Sequence, residues 1–146
     1  MQEAGLFVKN DLPYIGASPD AVCYCECCTQ FVIEIKCPYS IREKEVANAW
    51  NKTDFLKMVD SVLSLNPSHK YYTQIQGQMA LVGCSHGYFV VWTTKGPPFI
   101  QKVMFDYDFW KTILEDFVFF FKGYVVKVLL GIESLTYCPK CRKHCL

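Results

Sequence analysis

Asp20, Glu34 and Lys36 are the residues whose types and spacing could do chemistry in this chain. They fall in the frame Ser18-Pro19-Asp20, then the 13 residues from Ala21 to Ile33, then Glu34-Ile35-Lys36. Side chains alternate along a strand, so Phe31-Val32-Ile33-Glu34-Ile35-Lys36-Cys37, read as a strand, puts Glu34 and Lys36 on one face. Two charges on one face of an otherwise apolar strand are costly to bury unless something compensates them. A divalent cation bridged to a phosphate would do so. Magnesium takes hard oxygen ligands, commonly one or two carboxylates, with water, carbonyls and substrate phosphate completing its shell. In this reading Asp20 and Glu34 supply the carboxylates and the backbone carbonyl of Ile35 a third protein oxygen. A metal so held polarises a phosphodiester and acidifies a bound water. Lys36 then orients that water or stabilises charge on the phosphate. A half-exposed strand with an ordinary Glu/Lys pair would also read Glu-x-Lys. The upstream Ser-Pro-Asp and the following Cys-Pro favour the metal centre.

The elements around these residues must bring the two carboxylates together. Leu6-Phe7-Val8 and Tyr14-Ile15-Gly16 read as short strands about the Asn10-Asp11-Leu12-Pro13 turn. Pro19 keeps Ser18 extended. Ala21 to Tyr24 continues as a strand, and residues 25–30 turn it back into Phe31 to Cys37. In this hairpin Asp20 and Glu34 converge across paired strands, and Pro38 ends the second arm. Ser40 to Trp50 reads as a helix, with Ser40 as N-cap and Glu43 three residues on as a capping box. Phe55-Leu56 and Val62-Leu63 either pair as a hairpin or sit in one irregular helix. His69 to Val82 is helical, since Tyr72, Ile75, Met79 and Val82 share a stripe, and Gln74 and Gln78 share a neighbouring face. Gly77 costs that helix about 1 kcal/mol relative to Ala, which close packing against the sheet would explain. Gly87 to Thr94 is a buried strand, Gly96-Pro97-Pro98 a turn, and Phe99 to Phe105 a further strand. A long helix follows from Asp108 to about Gly131, its stripe formed by Trp110, Ile113, Leu114, Phe117, Phe121 and Tyr124. This order fits an α/β sandwich with a mixed central β-sheet flanked by helices.

At 146 residues the chain is one domain's worth, long enough to bury a core. Half of it is apolar and 16% aromatic, which excludes a disordered or low-complexity chain. A net charge of +1 gives no bulk signature of nucleic-acid binding, so any such role needs a local basic groove. Met1-Gln2-Glu3-Ala4-Gly5 lacks the basic and then apolar pattern of a signal peptide. The run Phe117 to Leu130 is interrupted by Lys122 and Lys127 and falls short of the roughly 20 apolar residues of a membrane span. It is read as a core-packed helix. Nine cysteines, an odd count without a signal peptide, argue for reduced thiols and an intracellular, including nuclear, setting.

Three motifs in order, Gly16-Ala-Ser-Pro-Asp-Ala-Val22, Ile33-Glu-Ile-Lys-Cys-Pro-Tyr-Ser40 and Tyr71-Tyr-Thr-Gln-Ile-Gln-Gly-Gln-Met-Ala80, resemble the PD-(D/E)XK nuclease superfamily. Within it the match is to the lambda-exonuclease-like group with YqaJ viral recombinase domains, over about Gly5 to Phe121. The resemblance implies a restriction-endonuclease-like sandwich over residues 1–132, with residues 133–146 as a Cys-rich tail. It implies that Asp20 and Glu34 ligate Mg2+ or Mn2+, that Lys36 is the catalytic lysine, and that Gln74 is the active-site glutamine of the following helix. It favours the hairpin for residues 55–63. It implies an exonuclease acting on DNA, on duplex ends or single strands, in recombination, repair or mobile-element processing, as a homo-oligomer in the relatives. Members of the group usually carry an upstream helix with a Gly-x-x-x-Glu pattern. Only about 19 residues precede Asp20, so a chain truncated at its amino end, or a decayed copy, is expected. The alternative is an inactive nuclease-derived domain that binds nucleic acid or a protein partner.

Other candidates are weaker. Ser18, Arg42, His69 and Tyr71, with Lys44 and Lys70 beside them, could line a groove, contacting phosphates and stacking on an unpaired base. Basic residues at helix starts are also commonly just solvated. In the tail, Cys138, Cys141 and Cys145 form a half-site for zinc, which His144 or one of Cys25, Cys27 and Cys28 could complete. Idle thiols are the other reading, and related nucleases add a third, an iron–sulfur cluster. A zinc-stapled interaction module is therefore a further function class. Cys37 and Cys84 are read as core residues. A Cys–His hydrolase is rejected, because no cysteine has a nucleophile context and His69 and His86 have no evident orienting partner.

Overall fold

The computed structural model describes residues 2–3, 5–25 and 28–132, the side chains of Gln2, Glu3, Cys25 and Cys28 apart. The chain divides into two compact units, Met1–Trp110 and Lys111–Leu146.

The first unit is built on a five-stranded sheet. Its strands are β1 (Gln2–Glu3), β4 (Ala21–Cys25), β5 (Cys28–Lys36), β8 (His86–Val91) and β9 (Phe99–Met104), hydrogen-bonded in the order β1-β4-β5-β8-β9. Only β5 and β8 run parallel; the other pairs are antiparallel, so the sheet is mixed. A crossover joins β5 to β8, as a parallel pair demands. Two small hairpins accompany the sheet: β2 (Phe7–Lys9) with β3 (Leu12–Ala17), and β6 (Leu56–Val59) with β7 (Val62–Leu65). The second hairpin turns through Asp60 (φ 47°) and Ser61 (φ 65°). Two consecutive left-handed residues suit the right-handed twist of a two-residue hairpin.

Helix α2 (Lys70–Val82) lies in the crossover, and its Ile75 and Met79 are fully buried with Val32, Phe89 and Val91 of the sheet. Gly87 is required by the β5–β8 contact. A Cβ there would stand 2.7 Å from Val32 Cγ2 and 3.2 Å from its carbonyl oxygen. Gly77 is explained differently from the expectation. Its open side faces the ring of Trp110, 3.4 Å from an added Cβ, so an aromatic of the next helix takes the space.

The expected helix from Ser40 to Trp50 does not form. A 3-10 turn at Tyr39–Ile41 is followed by turns, then the four-residue α1 (Val46–Ala49) and a second 3-10 turn at Trp50–Lys52. The cause is competition for a carbonyl. A continuous helix needs Arg42 C=O for an i+4 amide, but Thr94 takes it with both its N–H (2.9 Å) and its hydroxyl (2.6 Å). Thr94 Oγ1 also lies 3.4 Å from Glu43 Oε2, and the 3-10 turn has no side-chain cap.

Helix α3 (Tyr107–Phe120) begins in the first unit, where Trp110 is buried. In the second unit the helix continues through a π-turn at Phe121–Val125 into α4 (Val126–Leu129). Among the described residues the core-packed face expected over Phe117 to Leu130 is not fully buried: Phe119 is 67% and Leu129 74% exposed, while Val118, Phe121 and residues 123–128 are half-buried. No helix among the described residues is long and apolar enough to cross a membrane.

Candidate active site

The site grows from the register of three elements. Ala21 pairs with Ile33 across β4 and β5, which places Asp20 and Glu34 at adjacent ends of the two arms. Asp20 is then tied to β5 by backbone: Ile35 N–H donates to Asp20 Oδ2 at 2.6 Å. The amide between Glu34 and Lys36 thus holds the carboxylate of Asp20. On β5, Val32 and Glu34 are buried and Lys36 half-buried on one face, while Ile33 and Ile35 belong to the other.

Glu34 is 2% exposed, and a carboxylate at that depth needs full compensation. Its Oε1 accepts from the Lys36 ammonium and from Gln74 Nε2 at 2.7 Å. Its Oε2 accepts from Gln78 Nε2 at 2.6 Å. Lys36 in turn donates to Gln74 Oε1 at 3.1 Å and stands 4.3 Å above the ring of Tyr71. The ring face attracts the ammonium, so Lys36 is held by a carboxylate, an amide and an aromatic at once. Asp20, Glu34 and Lys36 together carry one net negative charge. Two carboxylates with that surplus fit a hard divalent cation completed by water. Among the described residues no group of three or more His, Cys, Asp or Glu that could hold a metal ion gathers. Gln78 Oε1 is a buried oxygen with no hydrogen-bond partner, a place for water.

The remaining sequence candidates separate. Ser18 and Arg42 are exposed; the guanidinium of Arg42 stacks on Tyr39, 3.7 Å from its centroid. His69 and Tyr71 serve the fold's own contacts. His69 caps α2, its Nδ1 accepting from Tyr71 N–H at 3.1 Å, and its Nε2 lies 3.5 Å from Asp54 Oδ1. Tyr71 packs on Phe55 and Phe89 below Lys36. Burial pushes the Cys84 thiol up, in keeping with a core cysteine, against the opposing pull of backbone bonds at Val32 and at Cys84 itself. Cys37 is exposed, contrary to expectation, because it lies past the last β5–β8 pair and before Pro38. Cys138, Cys141, His144 and Cys145, and the side chains of Cys25, Cys27 and Cys28, lie outside the described residues. Gln78, read from the sequence only as sharing a helix face with Gln74, also reaches the Glu34 carboxylate. Its signal was the Gln74/Gln78 spacing, which puts two amides on one helical row.

Residues 1–85 match the model of the YqaJ-like viral recombinase domain. Among solved structures the chain is similar to an alkaline exonuclease, LHK-Exo, from Laribacter hongkongensis, at a TM-score of 0.55 and 21% identity. That match covers 90% of this chain and 58% of the exonuclease. The structure of LHK-Exo in complex with dAMP is similar at 0.55 and 23% identity, covering 89% of this chain and 57% of that one. The chain therefore spans less than two thirds of these neighbours, and at such identity the likeness establishes the fold. No curated protein matches it.

Proposed function

The chain belongs to the YqaJ-like viral recombinase domain family, and from that premise and the geometry of Asp20, Glu34 and Lys36 we propose that it is a magnesium- or manganese-dependent deoxyribonuclease. The observation that carries this reading is the Ile35 amide bond to Asp20, which fixes that carboxylate to the strand segment whose Glu34 and Lys36 are paired with each other. Asp20 and Glu34 would hold the cation. When bound, it would acidify a water and offset the charge of the scissile phosphate. Lys36, held beside Glu34, would turn its Nζ donors to the phosphate or the attacking water. Gln74 holds Lys36 and Glu34 in mutual orientation. Exonuclease action is supported by the likeness to an alkaline exonuclease and a place in recombination by the family's description as a viral recombinase domain; action on duplex ends or single strands, and in repair or mobile-element processing, belongs to the same proposal. Exposed Ser18 and Arg42 are the candidates for phosphate contact.

The test is linear duplex DNA with Mg2+, with and without chelator. Asp20→Ala and Lys36→Ala should each lose at least about a hundredfold in rate, and chelator should stop the reaction. Cleavage equal in wild type and both variants would refute the site. Binding of DNA without metal-dependent cleavage would make the domain a nuclease-derived binding module.

A further inference from the structure

Two buried glutamines on α2 invite comparison. Gln76 is fully used by backbone: its Nε2 donates to Met104 C=O at 3.0 Å, and its Oε1 accepts from Asp106 N–H at 2.9 Å. It staples the end of β9 to the start of α3. Gln78, 1% exposed, spends only its donor end. One Nε2–H bond goes to Glu34 Oε2 at 2.6 Å and the other to Ser18 C=O at 3.4 Å, while Oε1 has no partner among the described residues. The amide cannot be turned over, because that would bring its oxygen against the Glu34 carboxylate. A buried acceptor without a partner costs about 1–3 kcal/mol, so something other than stability accounts for it.

We propose that Gln78 is a positioning residue for the cation site: it spans the Ser18-Pro19-Asp20 turn and the Glu34 carboxylate, sets their separation, and takes a water on Oε1. The inference rests on the metal-site reading above and adds a residue to it. Pro19 is buried, which leaves the turn little freedom except through this link. Without the link, Glu34 keeps the Lys36 and Gln74 bonds on Oε1 alone and can rotate about them. Oriented ligands bind metal more tightly, and loss of such a partner typically weakens affinity by about 10–100-fold.

The full chain is titrated with Mn2+ by calorimetry and electron paramagnetic resonance. Gln78→Met, close in volume and without hydrogen bonds, should bind Mn2+ at least about tenfold more weakly. Its DNA cleavage should recover at high Mn2+, which a group acting directly on phosphate would not allow. The wild-type side-chain amide signals offer a reading independent of how the variant folds. Those of Gln78 should shift with Mg2+ along the binding curve, and those of Gln76 should stay. A wild type that binds no Mn2+ would remove the metal-site reading itself. A wild type that binds, with unmoved Gln78 signals or an unweakened Gln78→Met, would overturn the role of Gln78 alone.

Discussion

The two faces of the five-stranded sheet are made of alternate residues of the same strands, yet burial asks different things of them. On one face Val22, Val32, Phe89, Val91 and Val103 are all at most 4% exposed, and Glu34 and Lys36 sit among them. There the charges are matched donor by donor, by Lys36, Gln74 and Gln78. On the other face Ile35 is 44%, Ile100 58% and Met104 58% exposed, with Lys102 in water. Its main local order is a ring cluster in which Phe31 stacks on His86, centroids 5.4 Å apart, and meets Tyr88 edge-on. The comparison teaches that strand position alone does not assign energetic weight. What matters is whether the opposing element removes water, because an unmatched group is costly only where water is gone.

Truncation should separate the faces most sharply. Phe89→Ala should cost about 3–5 kcal/mol by urea denaturation, and Ile100→Ala, on the neighbouring strand but the open side, less than about 0.5 kcal/mol. Similar losses at both positions would break the contrast.

Charge removal should separate them next. Lys36→Met leaves a buried carboxylate without its cation and should destabilise the protein by about 3 kcal/mol. Lys102→Met should leave the melting curve unchanged. Replacing both members, as Glu34→Met with Lys36→Met, should restore much of the loss, since the pair's desolvation cost disappears with it. A double variant no more stable than Lys36→Met would show that the loss does not come from the unpaired carboxylate.

The smallest effect is the pH response of the open face. Burial against its ring neighbours, and then the nearby Lys102, hold the imidazole of His86 below its ordinary value of 6.5. The folded state disfavours imidazolium, so this stability is present above pH 6.5 and lost as pH falls through the folded-state value. Melting temperature should therefore slip slightly between pH 7 and pH 5 in the wild type, and less in His86→Gln. An identical slope in both would place the acid sensitivity elsewhere.

Much of the site was legible locally. Alternation along β5 announces that Glu34 and Lys36 share a face, and a hairpin between Asp20 and Glu34 follows from two strand-like runs joined by the turn at residues 25–30. The Tyr72/Ile75/Met79/Val82 stripe announces α2, of which Ile75 and Met79 are buried at its centre. Periodicity reports which side chains travel together, because it depends only on backbone geometry within one element. It could not report the helix lost at Ser40, since Thr94 takes the Arg42 carbonyl from 52 residues away. Nor could it say that Trp110 fills the space beside Gly77.

For this protein the amino-acid order alone determined the chemical inventory: two carboxylates, a lysine and a pair of glutamines on elements able to carry them. Tertiary structure decided their partnership. Gln78 reaches Glu34 across 44 residues of sequence, and Asp20 is held by the Ile35 amide 15 residues on. A hydrogen bond is made by distance and direction in space within about 3 Å, and no local pattern encodes which distant groups packing will bring that close.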